Sequence, residues 1–302
     1  MLLVIIRRRR WSILARIESI LLGDNPFFGV DHLSQERARE KAGKSQASSN
    51  IIDVIDYCLR AGADGMVVST NPKLRELLLN IKARSGLMDK LVFYPILPYA
   101  QGYVLKVNEK GIVNTLMEIL SQVSLQNKFK ILTKSGMGAM TKDFYRLFKA
   151  FIDLELLSLQ EARMNTVFLH DVITDLALAL EVRKIFETFR EYLHDAYGKK
   201  AGFVTKNFPL LVNALNEWNL RGCDIMTSFN SVGFQMNPSK DECERALLKS
   251  NEKIIAMSVL AGGYIEPLAA KKYISSLPRI NTLVIGISSI EHARETLKLF
   301  LD

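Results

Sequence analysis

Eight short β-rich runs alternating with helix-forming stretches across 302 residues predict one (β/α)8 domain, a TIM barrel with a long insertion between its third and fourth strands. Two further observations support that class of α/β fold. With 48% hydrophobic residues the chain is long enough to bury the core of a single barrel. The competing architecture, an open doubly wound sheet, wants GxGxxG straight after its first strand, and that place reads LLGDNPFFG.

Residues 1–16 precede the first strand as an N-terminal extension, apolar from Met1 to Ile6 and then basic at Arg7, Arg8, Arg9 and Arg10. A secretory signal has the reverse order, and so short an apolar start cannot supply the ~20 residues of a membrane span. No membrane association is therefore expected. Those four arginines supply half of the net charge of +8, and no basic or aromatic stripe elsewhere points to nucleic acid. What remains is an ordinary surface with some preference for small anions. Cys58, Cys223 and Cys243 share no close spacing, so neither a disulfide framework nor a zinc knuckle is expected, and a reducing cytoplasm suits them.

Strands are expected at residues 19–23, 65–69, 91–97, 166–170, 202–205, 224–228, 254–258 and 282–286. Helices are expected at 51–61, 72–83, 112–123, 177–196, 209–219, 241–251, 267–276 and 290–300. The spacing is regular except at residues 98–165, far more than one crossover needs. That stretch contains KFKILTKSGMGAM and a helix expected at 142–157, and reads as a lid over the barrel mouth or as an additional strand.

In such a barrel the reacting groups come from the C-terminal ends of different strands. Here those ends are unusually polar: Asp24, Ser69, Tyr99, His170 and Asp171, Lys206 and Asn207, Ser228 and Asn230, Ser258, Ser288 and Ser289. Capping of the following helices accounts for about half of them. His170, ending VFLHD beside Asp171, is the first candidate for moving a proton at a substrate oxygen. Lys206, in GFVTKNFPLL, is an amine nucleophile for a carbonyl if desolvated, or an anion-binding point charge. In a cofactor-free reaction with Lys206 as the amine, His170 or Asp24 is the candidate proton carrier. Asp24, His32 and His170 are candidates to gather a metal, but the four histidines form no HxH or HExxH pair, so no metal site is expected. AMSVLAGGYIEP and VIGISSIEHARETL each run from a strand through glycine into a helix, a pattern that suits a phosphate at the last two strand ends.

From Thr166 onward, the order of these segments resembles the aldo-keto reductase superfamily. FLHD is similar to that family's fourth-strand histidine segment, GFVTKNFPLL to its fifth-strand G-x-S-N-F segment, and TSFNSVGF to the sixth-strand segment beside the cofactor. MSVLAGGYI resembles the S-P-L-x-G-G stretch, and VIGISSIEHARETL the final cofactor-gripping segment. The resemblance implies NADP or NAD as cofactor, with His170, Asn207, Ser258, Leu260, Gly262, Ser288 and Ser289 as substrate or cofactor contacts. Asn230, Gly263, Gly286 and Arg294, in the same segments, join the candidate cofactor-binding set, while His170, Asp24, Lys206 and Asp171 are the catalytic candidates by their places at the strand ends. The family completes its proton-donating set with a second-strand aspartate, a tyrosine just after it and a third-strand lysine. GMVVSTNPK and VFYPILPYA carry none of these in place, which leaves Tyr94, Tyr99 or Tyr103 as the substitute acid. The whole chain is also similar to a family of prokaryotic barrel proteins with no established activity, through LLGDNPFFGVDH, VFLHDVITDLAL and GFQMNPS.

Three functions follow as expectations. The first is an enzyme reducing a small anionic or phosphorylated carbonyl compound, and the second a cofactor-free aldolase, lyase or isomerase using Lys206. The third is a barrel that only binds. Oligomeric state is left open.

Overall fold

The computed structural model describes residues 17–28, 48–98 and 144–301. Eight parallel strands close in sequential order: β1 Ser19–Gly23, β2 Gly65–Ser69, β3 Phe93–Leu97, β4 Thr166–Leu169, β5 Lys200–Thr205, β6 Asp224–Ser228, β7 Lys253–Met257 and β8 Ile280–Gly286. Closure comes from β1 pairing with β8, where Ser19 lies opposite Thr282 and Gly23 opposite Gly286. Among the described residues the helices are α1 Asn25–Phe28, α2 Ser48–Arg60, α3 Leu74–Ala83, α4 Leu87–Lys90, α5 Phe144–Leu156, α6 Asp171–Ala179, α7 Arg183–Tyr197, α8 Phe208–Glu217, α9 Lys240–Leu247, α10 Pro267–Ser276 and α11 Ile290–Leu301. None is long and apolar enough to cross a membrane.

Successive side chains of a strand face opposite ways, so each strand must fill two layers. Inside the barrel Leu21, Val67, Tyr94, Phe168, Val204, Met226 and Ile255 pack with Val284, and their chain neighbours pack outward beneath the helices. The helices answer with apolar stripes. In α7 the buried set Ile185, Phe186, Phe189 and Leu193 lies on one face, and the Phe186 ring is 4.9 Å from Phe203 and 5.1 Å from Trp218. Each such ring removed from water contributes about 1.5–3 kcal/mol.

The Phe168 ring fits inside only because β5 has glycine beside it. A Cβ on Gly202 would lie 2.3 Å from that ring. Gly202→Ala is therefore expected to cost about 1–3 kcal/mol through overpacking, read as a lower midpoint in urea unfolding with an unchanged slope. At the floor of the barrel, Asp224 is buried and holds Lys200 in an ion pair, while it accepts the Thr166 hydroxyl at 2.6 Å.

Where the expected elements fall within the described residues, they are found within a few residues of their places, with one correction. The helix expected at 177–196 is two helices, α6 and α7. Glu181 adopts φ 54, and the Glu181 and Val182 amides donate back to Leu178 and Ala177, which ends α6 and lets the chain turn into α7. In addition α6 begins at Asp171, with no loop after β4. Of the long insertion, α5 and the 3-10 turn Leu157–Leu159 form the crossover to β4, and α5 packs beside α7. KFKILTKSGMGAM, the helix expected at 112–123, Tyr99, Tyr103, His32 and residues 1–16 lie outside the described residues.

Candidate active site

Because α6 follows β4 directly, His170 serves as its N-cap, with extended backbone at φ −61 and ψ 145, and Asp171 fills its first turn. One Asp171 oxygen lies 2.6 Å from His170 Nδ1 and the other 3.2 Å from Lys206 Nζ. The Val172 amide reaches both Asp171 Oδ1, at 3.0 Å, and His170 Nδ1, at 3.2 Å. Nδ1 cannot accept from that amide while donating to the carboxylate. The shorter contact decides: Nδ1 carries the proton, the amide bonds Asp171, and Nε2 is left for other chemistry. Burial pushes the Asp171 pKa up, yet His170 and Lys206 together outweigh it and hold the carboxyl at about 2.

Lys206 lies one residue past β5, where the strand ladder no longer holds the backbone. Its amide donates to Asp175 Oδ2 at 3.0 Å, and its carbonyl accepts from the Asn237 amide at 3.0 Å. Asp175 also takes the Thr205 hydroxyl. Burial raises the Asp175 pKa against these donors. Sequence reasoning missed Asp175, although its place one helical turn after Asp171 puts both carboxylates on one face of α6.

Asp24 sits at the end of β1, 4% exposed, and accepts the Ser69 amide from the end of β2 at 2.6 Å. Burial dominates its ionisation and lifts its pKa from 3.8 to about 6, with the Ser69 hydrogen bonds opposing. Tyr94 faces the other way. It lies inside the barrel, and its hydroxyl bonds Asn165 at the start of β4, on the floor side. It does not reach the mouth as a substitute acid.

Several candidates serve local structure. Asn207 caps α8 by accepting the Leu210 amide at 3.3 Å, and Ser289 caps α11 by accepting the His292 amide at 3.1 Å. The buried Asn230 side chain bonds both the amide and the carbonyl of Phe234, each at 2.8 Å. The loop after β7 is strained: Ser258 has φ 54 and Ala261 φ 46, both in the left-handed region that side chains avoid, followed by Gly262 and Gly263. Leu260 accepts the Gly263 and Ile265 amides and so closes that turn. Gly262, Gly263 and Gly286 are exposed, as are Ser288 and Arg294. A Cβ on Gly263 would meet nothing, so a ligand can approach the backbone there.

One hydroxyl at this rim, expected from the sequence only as a polar strand end, is buried and unpaired. Ser228, at the end of β6 and two residues beyond the inward-facing Met226, is 1% exposed and its Oγ lacks a hydrogen-bond partner. Among the described residues, no three His, Cys, Asp or Glu side chains gather to hold a metal.

No family model and no curated protein matches the chain. Solved structures do. A protein assigned as an aldo-keto reductase from Pseudomonas aeruginosa superimposes with a TM-score of 0.59 at 14% identity, over 94% of this chain and 90% of that one. An aldo/keto reductase from Brucella melitensis gives 0.54 at 12%, over 94% and 88%. An aldo-keto reductase from Klebsiella pneumoniae, solved with NADPH, gives 0.52 at 13%, over 94% and 86%. At these identities the likeness is one of fold: the chain carries the closed eight-stranded parallel barrel of the aldo-keto reductases.

Proposed function

We propose that the protein reduces a small anionic carbonyl compound with a nicotinamide cofactor at the mouth of its barrel. The observation that carries this reading is the Asp171 carboxylate joined to His170 on one oxygen and to Lys206 on the other. A carbonyl being reduced needs a hydride at carbon, a proton at oxygen and something to hold the molecule still. Asp171 orients the imidazole through Nδ1 and balances its charge when protonated, so that Nε2 gives its proton to the developing alkoxide and recovers another from water. Lys206 Nζ is a fixed cation beside it for a carboxylate or phosphate on the substrate. Asp24 is a second proton carrier at the junction of β1 and β2.

The reductase pattern takes its carboxylate from the second strand and its lysine from the third. Here a carboxylate at the end of β1 bonds the amide at the end of β2, and a lysine one residue past β5 shares Asp171 with the histidine. Both kinds of charge are therefore supplied from different strands.

Support for a dinucleotide at this face comes from residues at the ends of β6, β7 and β8. Gly262, Gly263 and Gly286 expose backbone, Ser289 caps a helix whose N-terminus favours negative charge, and Ser228 offers a buried hydroxyl that lacks a partner. Ser258, Leu260, Ser288 and Arg294 complete the lining, and NADP rather than NAD is favoured because one fold relative was solved with NADPH. A reduced nicotinamide held by these residues would supply the hydride. The ion pair with Asp171 speaks against Lys206 as an amine nucleophile, because that contact is made by the ammonium and a Schiff base needs the free amine.

Titration of the purified protein with NADPH and NADH, followed by quenching of Trp218 and Trp11 fluorescence and by calorimetry, tests the proposal. Saturable micromolar binding, then NADPH consumption with keto acids or phosphorylated aldehydes but not with their neutral counterparts, is expected. Absence of binding at millimolar cofactor would remove the reductase reading.

A further inference from the structure

Three anchors fix Lys206: Asp171 holds its ammonium, Asn237 its carbonyl and Asp175 its amide. The first two have counterparts in ordinary packing. The third is unusual, because a half-buried carboxylate takes over the role of the strand ladder at the residue where that ladder has ended. The same carboxylate takes the Thr205 hydroxyl, whose oxygen accepts in turn from the Asn207 amide at 2.9 Å. Thr205 is further tied to the next strand, its carbonyl accepting the Thr227 hydroxyl at 2.9 Å. Asp171 and Asp175 thus grip the end of β5 from one face of α6. One takes the charged tip of Lys206, and the other its backbone and the residue before it.

We propose that Asp175 is a positioning residue, which sets where the Lys206 ammonium stands at the barrel mouth although it does not touch that ammonium. The chemical reason is reach. A lysine stem has four rotatable carbons and can put its charge over a wide arc, so an ion pair at 3.2 Å persists only if the Cα is held at the right place and angle. A carboxylate accepting two donors at once holds it; a loop end bonded only through its carbonyl does not. The inference extends the reading of Lys206 as the contact for the substrate's anionic group, and it predicts that Asp175 governs discrimination between anionic and neutral carbonyl compounds.

The experiment uses the full chain with Asp175→Asn and Thr205→Val, near-isosteric changes that each disturb one part of the grip, together with Asp171→Asn as the control that removes the ion pair directly. Lys206 labelling by acetic anhydride is quantified by peptide mass spectrometry under folded conditions. Asp171→Asn should raise the labelling rate several-fold. Asp175→Asn should raise it in the same direction, and Thr205→Val by less, with the labelling of Lys253 unchanged. If the reductase reading holds, Asp175→Asn also raises KM for an anionic carbonyl while leaving kcat and the KM of a neutral one near the parent values. Unchanged Lys206 labelling in Asp175→Asn, whether or not its Tm falls, overturns the positioning role and leaves Asp175 as a structural brace. Labelling is read without cofactor or substrate, so failure of the reductase reading shows separately, as absence of NADPH binding in the parent protein.

Discussion

Asp171→Asn is expected to lower kcat for NADPH-dependent carbonyl reduction by about 10²- to 10⁴-fold, the range known for removing the carboxylate that orients a catalytic histidine. The amide has nearly the same shape but carries no charge and presents an NH2 group that Nδ1 can bond only by giving up its proton. The imidazole then takes the other tautomer, and a protonated ring loses its counter-charge. Lys206 is released by the same change, so KM for an anionic substrate should rise as well, and these two effects separate the partners of Asp171. Stability should change less. The folded pKa of about 2 lies below the free value of 3.8, so this carboxylate contributes stability above about pH 4 that is lost as pH falls through 2. Lys206 is 43% exposed and solvent screens its share, which leaves roughly 1–2 kcal/mol at neutral pH. Steady-state kinetics with an anionic and a neutral carbonyl, beside urea unfolding at pH 7, would check all three. A variant as active as its parent would show that His170 works without Asp171, or does not work at all.

The barrel could be read from the chain because its signals are local. Apolar runs such as ILLG, MVVS and TVFL are bounded by polar strand ends, and a parallel strand buried on both faces has to look like that. Polarity at the mouth was equally legible, and the Asp171 junction joins three residues that the order of motifs had already named. What could not be read was partnership. Asn207 and Asn230 look like ligand contacts in a one-dimensional reading, and only the fold shows their side chains bonded to Leu210 and Phe234. Asp175 looks like one more polar residue on a helix, because nothing near it in sequence reveals the end of β5 opposite. The break between α6 and α7 escaped for a related reason: Leu180, Glu181 and Val182 are not helix breakers, and the turn at Glu181 is imposed by packing back onto the barrel. Ser228 could be read as a polar strand end but not as an unpaired one, because a serine there usually caps a helix, whereas its hydroxyl here is buried without a partner.

Asp24→Asn is expected to stabilise the protein at alkaline pH and leave it nearly unchanged in acid. The folded state raises this carboxyl from 3.8 to about 6, so between those values it binds a proton that the unfolded chain has released. Well below 3.8 both states are protonated and burial has no electrostatic cost. As pH rises through the window the buried group must ionise, and stability falls until the pH passes the folded value. At about 1.4 kcal/mol per pH unit, the displacement to about 6 corresponds to roughly 3 kcal/mol at pH 8. Asparagine keeps an acceptor for the Ser69 amide and never ionises, so the variant should gain about 2–3 kcal/mol over the parent at pH 8 and only about 0.5 kcal/mol at pH 4. Urea unfolding of both proteins at the two pH values measures that difference. An equal gain at both would mean that the change acts through packing instead of ionisation. A cost of this size, retained at a barrel mouth, is what a group kept for proton transfer carries, since removing it is the easier route to a stable fold. The stabilised variant should accordingly reduce carbonyl compounds more slowly, with the deficit growing as pH falls toward 6 and the parent's Asp24 gains its proton.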